Sequence, residues 1–213
     1  MKLAVFDFDS TLMDGETIDF LAKELGFEAE VAAITERAMA GELDFFDSLV
    51  ERVSLLKGLE VERVNQICQN LPLMPGAKEA VESLKENSFR VVCFSGGFRN
   101  ATEPLCKKLG IDADFSNYLH EKNGKLTGLV GGEMMFSDSK GKMVQRLQNL
   151  LGADRDNTVV VGDGANDISM FQYAKTAIAF CAKPILKEAA SDIVDIKDLR
   201  EVAKIVLSGK KYE

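Results

Sequence analysis

The stretch Val5-Phe6-Asp7-Phe8-Asp9-Ser10-Thr11-Leu12 (VFDFDSTL) decides how this chain is read. An apolar run that begins at Leu3 stops at Asp7, and a second carboxylate follows at Asp9. Residues i and i+2 of an extended chain point to the same side, so a strand ending here would bring two repelling charges together. Such a pair stays close when a cation holds it or when one carboxyl keeps a proton. Asp can also simply cap the turn after a strand, so the pair alone leaves both readings open.

Outward from this point, four more short apolar runs end in polar or glycine-rich residues: RVVCF (90–94), TVVVG (158–162), TAIAF (176–180) and DIVDI (192–196). Their largely unbroken hydrophobicity fits strands covered on both faces, as in parallel sheets. Helical patterns lie between them. PGAKEAVESLKE (75–86) places Ala77, Ala80, Val81 and Leu84 on one face. GKMVQRLQNLLG (141–152) does the same with Met143, Val144, Leu147 and Leu151, and Gly152 is a helix stop. The alternation predicts an α/β protein with a doubly wound, mostly parallel sheet.

From about Gly15 to Leu71 the rhythm changes to helical patterns alone: ETIDFLAKELG, EAEVAAITERAMAG, LDFFDSLVERVSLL and VERVNQICQNL. We expect residues 15–72 to form a helical cap inserted after the first strand, with residues 1–14 and 73–213 making the core domain. Phe45, Phe46, Leu49, Val53 and Leu56 would line the inner face or core of that cap. In NYLHEKNGKLTGLVGG (117–132), Asn123-Gly124 predicts a β-hairpin with a type I′ turn.

Composition narrows the function. The 213 residues are 46% hydrophobic and 28% charged, which describes an ordinary globular protein. A net charge of −8 argues against a nucleic-acid partner, because binding to that polyanion is driven by phosphate contacts. A protein this acidic must concentrate positive charge locally to handle phosphate. Cys68, Cys93, Cys106 and Cys181 show no metal-like spacing and read as reduced core residues. The one histidine, His120, sits in a turn-rich polar segment, which disfavours histidine catalysis. No apolar run approaches the ~20 residues of a membrane helix, and the opening run is too short for a secretory leader. The expectation is a cytoplasmic protein, monomer or homodimer, with a small-molecule partner.

Three further segments carry polar groups next to strand ends or helix starts. FSGGF (94–98) offers the Ser95 hydroxyl, with Gly96 and Gly97 letting backbone N–H groups approach an anion. DSKGKM (138–143) puts Lys140 before a helix and Lys142 just inside it. In VVVGDGANDISMF (159–171), Asp163 follows a strand, and Asn166-Asp167 opens a helix, where Asp167 would also serve as an N-cap. A hard divalent cation such as Mg²⁺ takes oxygen ligands, and Asp163 is a natural third oxygen beside Asp7 and Asp9.

The order strand-DxDxT, strand-Ser-Gly, Lys at a helix start, and strand-GD-xx-ND resembles the four-motif signature of the haloacid-dehalogenase superfamily, over essentially the whole chain. DFDSTLMDGETID, RVSLLKGL, FSGGF and VGDGANDISMF sharpen the likeness to its phosphoserine phosphatase family. The resemblance implies a Mg²⁺-dependent hydrolysis of O-phospho-L-serine, the closing step of serine biosynthesis. In it Asp7 is the nucleophile that forms an aspartyl-phosphate, and Asp9 is the general acid and base. Mg²⁺ is held by Asp7, the Asp9 backbone carbonyl and Asp163. Ser95, Gly96 and Lys140 hold phosphoryl oxygens, and the choice of Lys140 over Lys142 rests on the family's Lys-Gly pair. Asn166 contacts phosphate or product, Gly97 and Asp167 support the site, and Thr11 supports the geometry of Asp9. Glu16 takes the substrate ammonium and Arg52 its carboxylate. The same fold also implies two rival activities: phosphotransfer to an alcohol such as homoserine, or hydrolysis of another small phosphorylated metabolite.

Overall fold

The computed structural model describes residues 1–39 and 41–208. Residue 40, in the second expected cap helix, and residues 209–213, at the end of the expected core span, lie outside the described residues. The strands are β1 (Lys2–Asp7), β2 (Phe89–Phe98), β3 (Ala113–Lys122), β4 (Lys125–Gly132), β5 (Thr158–Gly162), β6 (Thr176–Phe180) and β7 (Asp192–Val194). They form one seven-stranded sheet in the order β4-β3-β2-β1-β5-β6-β7. Every pairing is parallel except β3 with β4. The winding direction reverses at β1, whose neighbours are β2 on one side and β5 on the other. In open α/β sheets such a reversal opens a crevice beyond the strand ends, where ligands bind. The fold is the doubly wound α/β class that the sequence predicts.

The helices are α1 (Thr17–Leu25), α2 (Glu28–Met39), α3 (Phe45–Ser54), α4 (Val61–Gln69), α5 (Ala77–Glu86), α6 (Arg99–Leu109), α7 (Ser139–Leu151), α8 (Ile168–Phe171), α9 (Pro184–Ala189) and α10 (Leu199–Leu207). Alternate residues of each central strand enter separate apolar layers. Ala4, Phe6, Val91, Cys93, Val159 and Val161 join α5, α6 and α10 on one face, in a core that runs on into α1, α3 and α4. Leu3, Val5, Val92, Phe94 and Val160 pack with α7, α8 and α9 on the other. Burial on both faces is why these runs lack a polar alternation.

Several expectations change in detail. The strand opening the chain ends at Asp7, and Asp9 lies in a tight turn spanning Phe8–Leu12, where Ser10 takes a left-handed φ of 56°. The second strand runs on through Ser95, Gly96 and Gly97 to Phe98, while the last strand stops at Val194. The pairing of β2 with β3 jumps from Phe94↔Phe115 to Phe98↔Asn117, so four steps on β2 oppose two on β3. The Asn123-Gly124 hairpin is present, with Lys122 opposite Lys125 and both turn residues at positive φ (53° and 77°). Its first strand starts earlier than the hairpin pattern suggested, at Ala113, and extends the main sheet. Cys68, Cys93 and Cys106 are buried, but Cys181 is exposed, in a turn with φ 44°, and is not a core residue. Among the described residues, no strand of the sheet comes from residues 15–72. Leu49, Val53 and Leu56 are buried there, with Phe45 and Phe46 partly so.

Candidate active site

The site sits where β1, β2 and β5 end. Asp7, only 4% exposed, closes β1, and its Oδ1 lies 2.5 Å from Lys140 Nζ. The other oxygen-bearing partner of Lys140 is Asp167 Oδ1, at 2.6 Å. Lys140 is itself buried at the start of α7. Lys142, one turn-step on, points to solvent and pairs with Asp138. The fold explains the Lys-Gly pair. A Cβ on Gly141 would stand 2.4 Å from the Ser169 carbonyl oxygen, so only glycine lets α7 approach closely enough to deliver Lys140.

Asp167 does not cap α8 with its side chain. Its Oδ2 reaches back to accept the Asp163 and Gly164 N–H groups at 3.0 and 3.1 Å, wrapping the loop after β5 around itself. Gly162 makes room for it, since a Cβ there would lie 2.3 Å from that oxygen. Asn166 is half-buried, with its side-chain oxygen folded over Gly164.

Asp9 is held from the opposite direction. Its Oδ1 accepts both the backbone N–H (2.7 Å) and the hydroxyl (2.6 Å) of Thr17, the first residue of α1. Its Oδ2 accepts the Ser95 hydroxyl at 3.3 Å. Thr11, expected to support Asp9, is fully buried, and among the described residues its Oγ1 has no hydrogen-bond partner. The support comes from Thr17, which the sequence reading missed. The available signal was a hydroxyl residue at the first position of the predicted α1, directly after Glu16. Gly97 lets Asp9 come near, because a Cβ would sit 2.7 Å from Asp9 Oδ2. Gly96 serves a different neighbour: a Cβ there would be 2.7 Å from the tip of the Phe45 ring.

Three carboxylates, two of them buried, around one ammonium leave excess negative charge, and the titration behaviour reflects it. Burial, then the neighbouring Asp167 charge, holds the Asp7 carboxyl well above the usual range, against the pull of Lys140. Burial and Asp167 push Asp163 up to about 6. Asp9 is also raised by burial, opposed by its Thr17 and Ser95 hydrogen bonds. Lys140 is raised: burial alone would lower it, but Asp167 and Asp7 together outweigh that and keep it charged. Asp7, Asp163 and Asp167 can each turn one oxygen to within 4.8 Å of the others. An all-carboxylate donor set with uncompensated charge fits a hard divalent cation.

Two further charged groups approach from the helical segment. Glu16 stands immediately before α1 and accepts the Ser10 hydroxyl at 2.8 Å. Burial, then the charges of Asp9 and Asp163, pushes its carboxyl up to about 8. Arg52, on α3, donates from Nε to the Ser48 carbonyl at 3.2 Å. Its burial is opposed by the charges of Glu16, Asp19 and Asp9, all within electrostatic reach. Phe46 of α3 stacks on Phe136 of the loop before α7, with ring centroids 5.2 Å apart and planes within 8°. The structure thus brings together Asp7, Asp9, Glu16, Arg52, Ser95, Lys140, Asp163 and Asp167, and leaves Thr11 outside this hydrogen-bond network.

The model of the haloacid dehalogenase-like hydrolases matches residues 1–175. The chain belongs to that family. This hydrolase is 62% identical over 202 residues to the phosphoserine phosphatase of Wolinella succinogenes, covering 95% of this chain and 98% of the relative. The phosphoserine phosphatase of Methanocaldococcus jannaschii is 48% identical, with 96% and 97% covered. A substrate-bound phosphoserine phosphatase complex superposes with a TM-score of 0.91 at 48% identity, covering 96% of this hydrolase and 97% of that chain. These relatives place it in the phosphoserine phosphatase branch. Among its described residues, no helix is long and apolar enough to cross a membrane.

Proposed function

We propose that this hydrolase cleaves O-phospho-L-serine to L-serine and phosphate, the closing step of serine biosynthesis, as a Mg²⁺-dependent cytoplasmic enzyme. The observation that carries the reading is the pairing of two half-sites: Asp7, Lys140 and Asp163 at the sheet crevice, and Glu16 with Arg52 entering from the helical segment. The close relatives named phosphoserine phosphatase support it.

Phosphate monoesters hydrolyse among the slowest of biological bonds, so the site must lower the barrier by up to ~20 kcal/mol or more. In the proposed route the Asp7 carboxylate attacks phosphorus while Asp9, protonated, gives its proton to the departing serine oxygen. Asp9, now a carboxylate, then takes a proton from the water that attacks the aspartyl-phosphate. Thr17 holds Asp9 Oδ1 throughout, leaving Oδ2 for the transfer. Lys140 and the Ser95 hydroxyl, which turns from Asp9 Oδ2 when the ester enters, donate to the transferring oxygens, and Asp167 keeps Lys140 extended. Gly96 and Asn166 complete the phosphate contacts. Mg²⁺ held by Asp7, Asp163 and the Asp9 carbonyl would neutralise the charge that otherwise keeps an anionic nucleophile from an anionic ester.

Residues 15–72 act as the lid over the core formed by 1–14 and 73–213. Glu16 pairs with the substrate ammonium and Arg52 with its carboxylate, for which the guanidinium fork suits bidentate binding. Phosphate release should be measured with phosphoserine, phosphothreonine, sugar phosphates and p-nitrophenyl phosphate. Phosphoserine is expected to give the highest kcat/KM by at least tenfold, and preference for a substrate without an amino acid moiety would refute the reading. Including homoserine in the same assay distinguishes hydrolysis from phosphotransfer.

A further inference from the structure

We propose that Asn117, on β3, is a positioning residue that sets the phosphate-binding turn of β2 and, through it, the Ser95 hydroxyl. The inference rests on the reading of Ser95 as a phosphoryl-oxygen ligand and extends it to a residue outside the four motifs.

Between Phe94 and Phe98 the β2–β3 ladder loses its register, so the backbone of Ser95, Gly96 and Gly97 bulges away from regular pairing. Peptide groups released from a ladder and buried need other partners. Asn117 stands at the point where pairing resumes, and its side chain is fully buried. Its Nδ2 donates to the Gly96 carbonyl at 3.0 Å and to the Met134 carbonyl at 3.2 Å. Its Oδ1 accepts the Met134 N–H at 3.0 Å. One amide therefore ties the bulge of β2 to the segment that leads into Lys140. Gly132 leaves the space for this, since a Cβ there would stand 2.5 Å from Asn117 Oδ1.

The tie reaches the reacting groups through one peptide plane. In a trans peptide the carbonyl of one residue and the N–H of the next point in opposite directions. Holding the Gly96 carbonyl towards Asn117 turns the Gly97 N–H the other way, where it donates to Ser95 Oγ at 2.8 Å. With that lone pair occupied, the Ser95 hydroxyl proton is directed at Asp9 Oδ2. The chain of bonds runs from Asn117 through the Gly96–Gly97 peptide to Ser95 and ends on the acid/base carboxylate. Asn117 touches none of the reacting atoms, so it positions and does not react. Sequence reading could not find it, because a lone Asn in FSNYL looks like any strand-edge polar residue.

The test is a double-mutant cycle on full-length protein. Asn117→Leu keeps the size and removes all three bonds; Asn117→Ser serves as the second variant. Each is made alone and with Ser95→Ala, and p-nitrophenyl phosphate is the substrate, so the result does not depend on phosphoserine being the natural ester. In the otherwise native chain, each Asn117 variant should lower kcat by about 10- to 100-fold with KM changed less than about threefold. In the Ser95→Ala background the same change should cost less than about threefold, because the group it positions is gone. Equal losses in both backgrounds, or unchanged kcat in a folded variant, would overturn the proposal. Loss of the folded state in both variants, seen by circular dichroism, would also overturn it and assign Asn117 to fold stability. Absence of Ser95 dependence in the native chain would instead indict the phosphate-site reading itself.

Discussion

The two halves of the site are built on opposite principles. In the core half, most charged groups are already bonded: Lys140 to Asp7 and Asp167, Asp167 to two backbone N–H groups, and Asp9 to Thr17. In the half contributed by the helical segment, Glu16 and Arg52 face each other's charge without a direct ion pair among the described residues. Glu16 has a single serine hydroxyl, and Arg52 has a backbone carbonyl. The core half is preorganised and resembles a transition-state template. In the other half, Glu16 keeps its proton up to about pH 8 and Arg52 has no carboxylate partner among the described residues, a state that a zwitterionic substrate would relieve. Stability is surrendered where recognition is needed, as expected of functional sites.

The sharpest way to break this comparison is to remove the nucleophile. Asp7→Asn should cut phosphate release by at least ~10⁴-fold while leaving a folded protein, and turnover near the native rate would dismiss its role. Chelation comes next. EDTA should abolish measurable activity, and added Mg²⁺ should restore it. A cation bound to the folded state at 100 times its Kd adds ~2.7 kcal/mol, so melting should also fall by several degrees when the metal is stripped. A melting curve indifferent to EDTA and Mg²⁺ would count against the carboxylate cluster as the binding site.

Substitutions in the other half should act on selectivity before rate. Arg52→Ala should raise KM for phosphoserine by ~10- to 100-fold, the value of a charge-assisted pair, and change KM for p-nitrophenyl phosphate less than about threefold. Equal effects on both esters would deny Arg52 a role in recognition. Glu16 makes a prediction about stability. Its folded value of about 8 lies above the ordinary 4.5, so between those limits the native state binds the proton more tightly than the unfolded chain. Stability from this group is complete below pH 4.5 and is lost as pH rises towards 8. Glu16→Gln should flatten that decline by at most ~1.4 kcal/mol per pH unit and raise the melting temperature at neutral pH. A steeper decline in the variant would reverse the argument. The smallest effect belongs to the Phe46–Phe136 stack, worth ~0.5–1.5 kcal/mol. Phe136→Ala should mainly speed hydrogen exchange in α3, and protection unchanged there would remove the stack as a closing contact.

Much of the architecture was legible because it is local. Unbroken apolar runs marked the buried strands, Asn123-Gly124 marked the hairpin, and the loss of strand-like runs marked residues 15–72. The first half-site was legible for the same reason, as Asp7, Ser95 and Asp163 each follow an apolar run that ends at the crevice. Thr17 and Asn117 were hidden because nothing near them in sequence distinguishes them from a helix-start hydroxyl and a strand asparagine. Their meaning comes from Asp9 and Gly96, which only folding brings near. Thr11 shows the converse: close in sequence to Asp9, it lies outside the hydrogen-bond set in space. Cys181 escaped the core because its turn leaves the sheet just after β6.

The sequence by itself determined the succession of strands, the all-helical segment after the first of them and the chemical types available at each strand end, since periodicity and turn chemistry act over a few residues. Tertiary structure alone decided how Lys140 is delivered into the site, which hydroxyl holds Asp9, and how far each carboxyl departs from its ordinary titration. Those outcomes depend on burial and on distances between groups far apart in the chain, and both exist only once the sheet has closed against its helices.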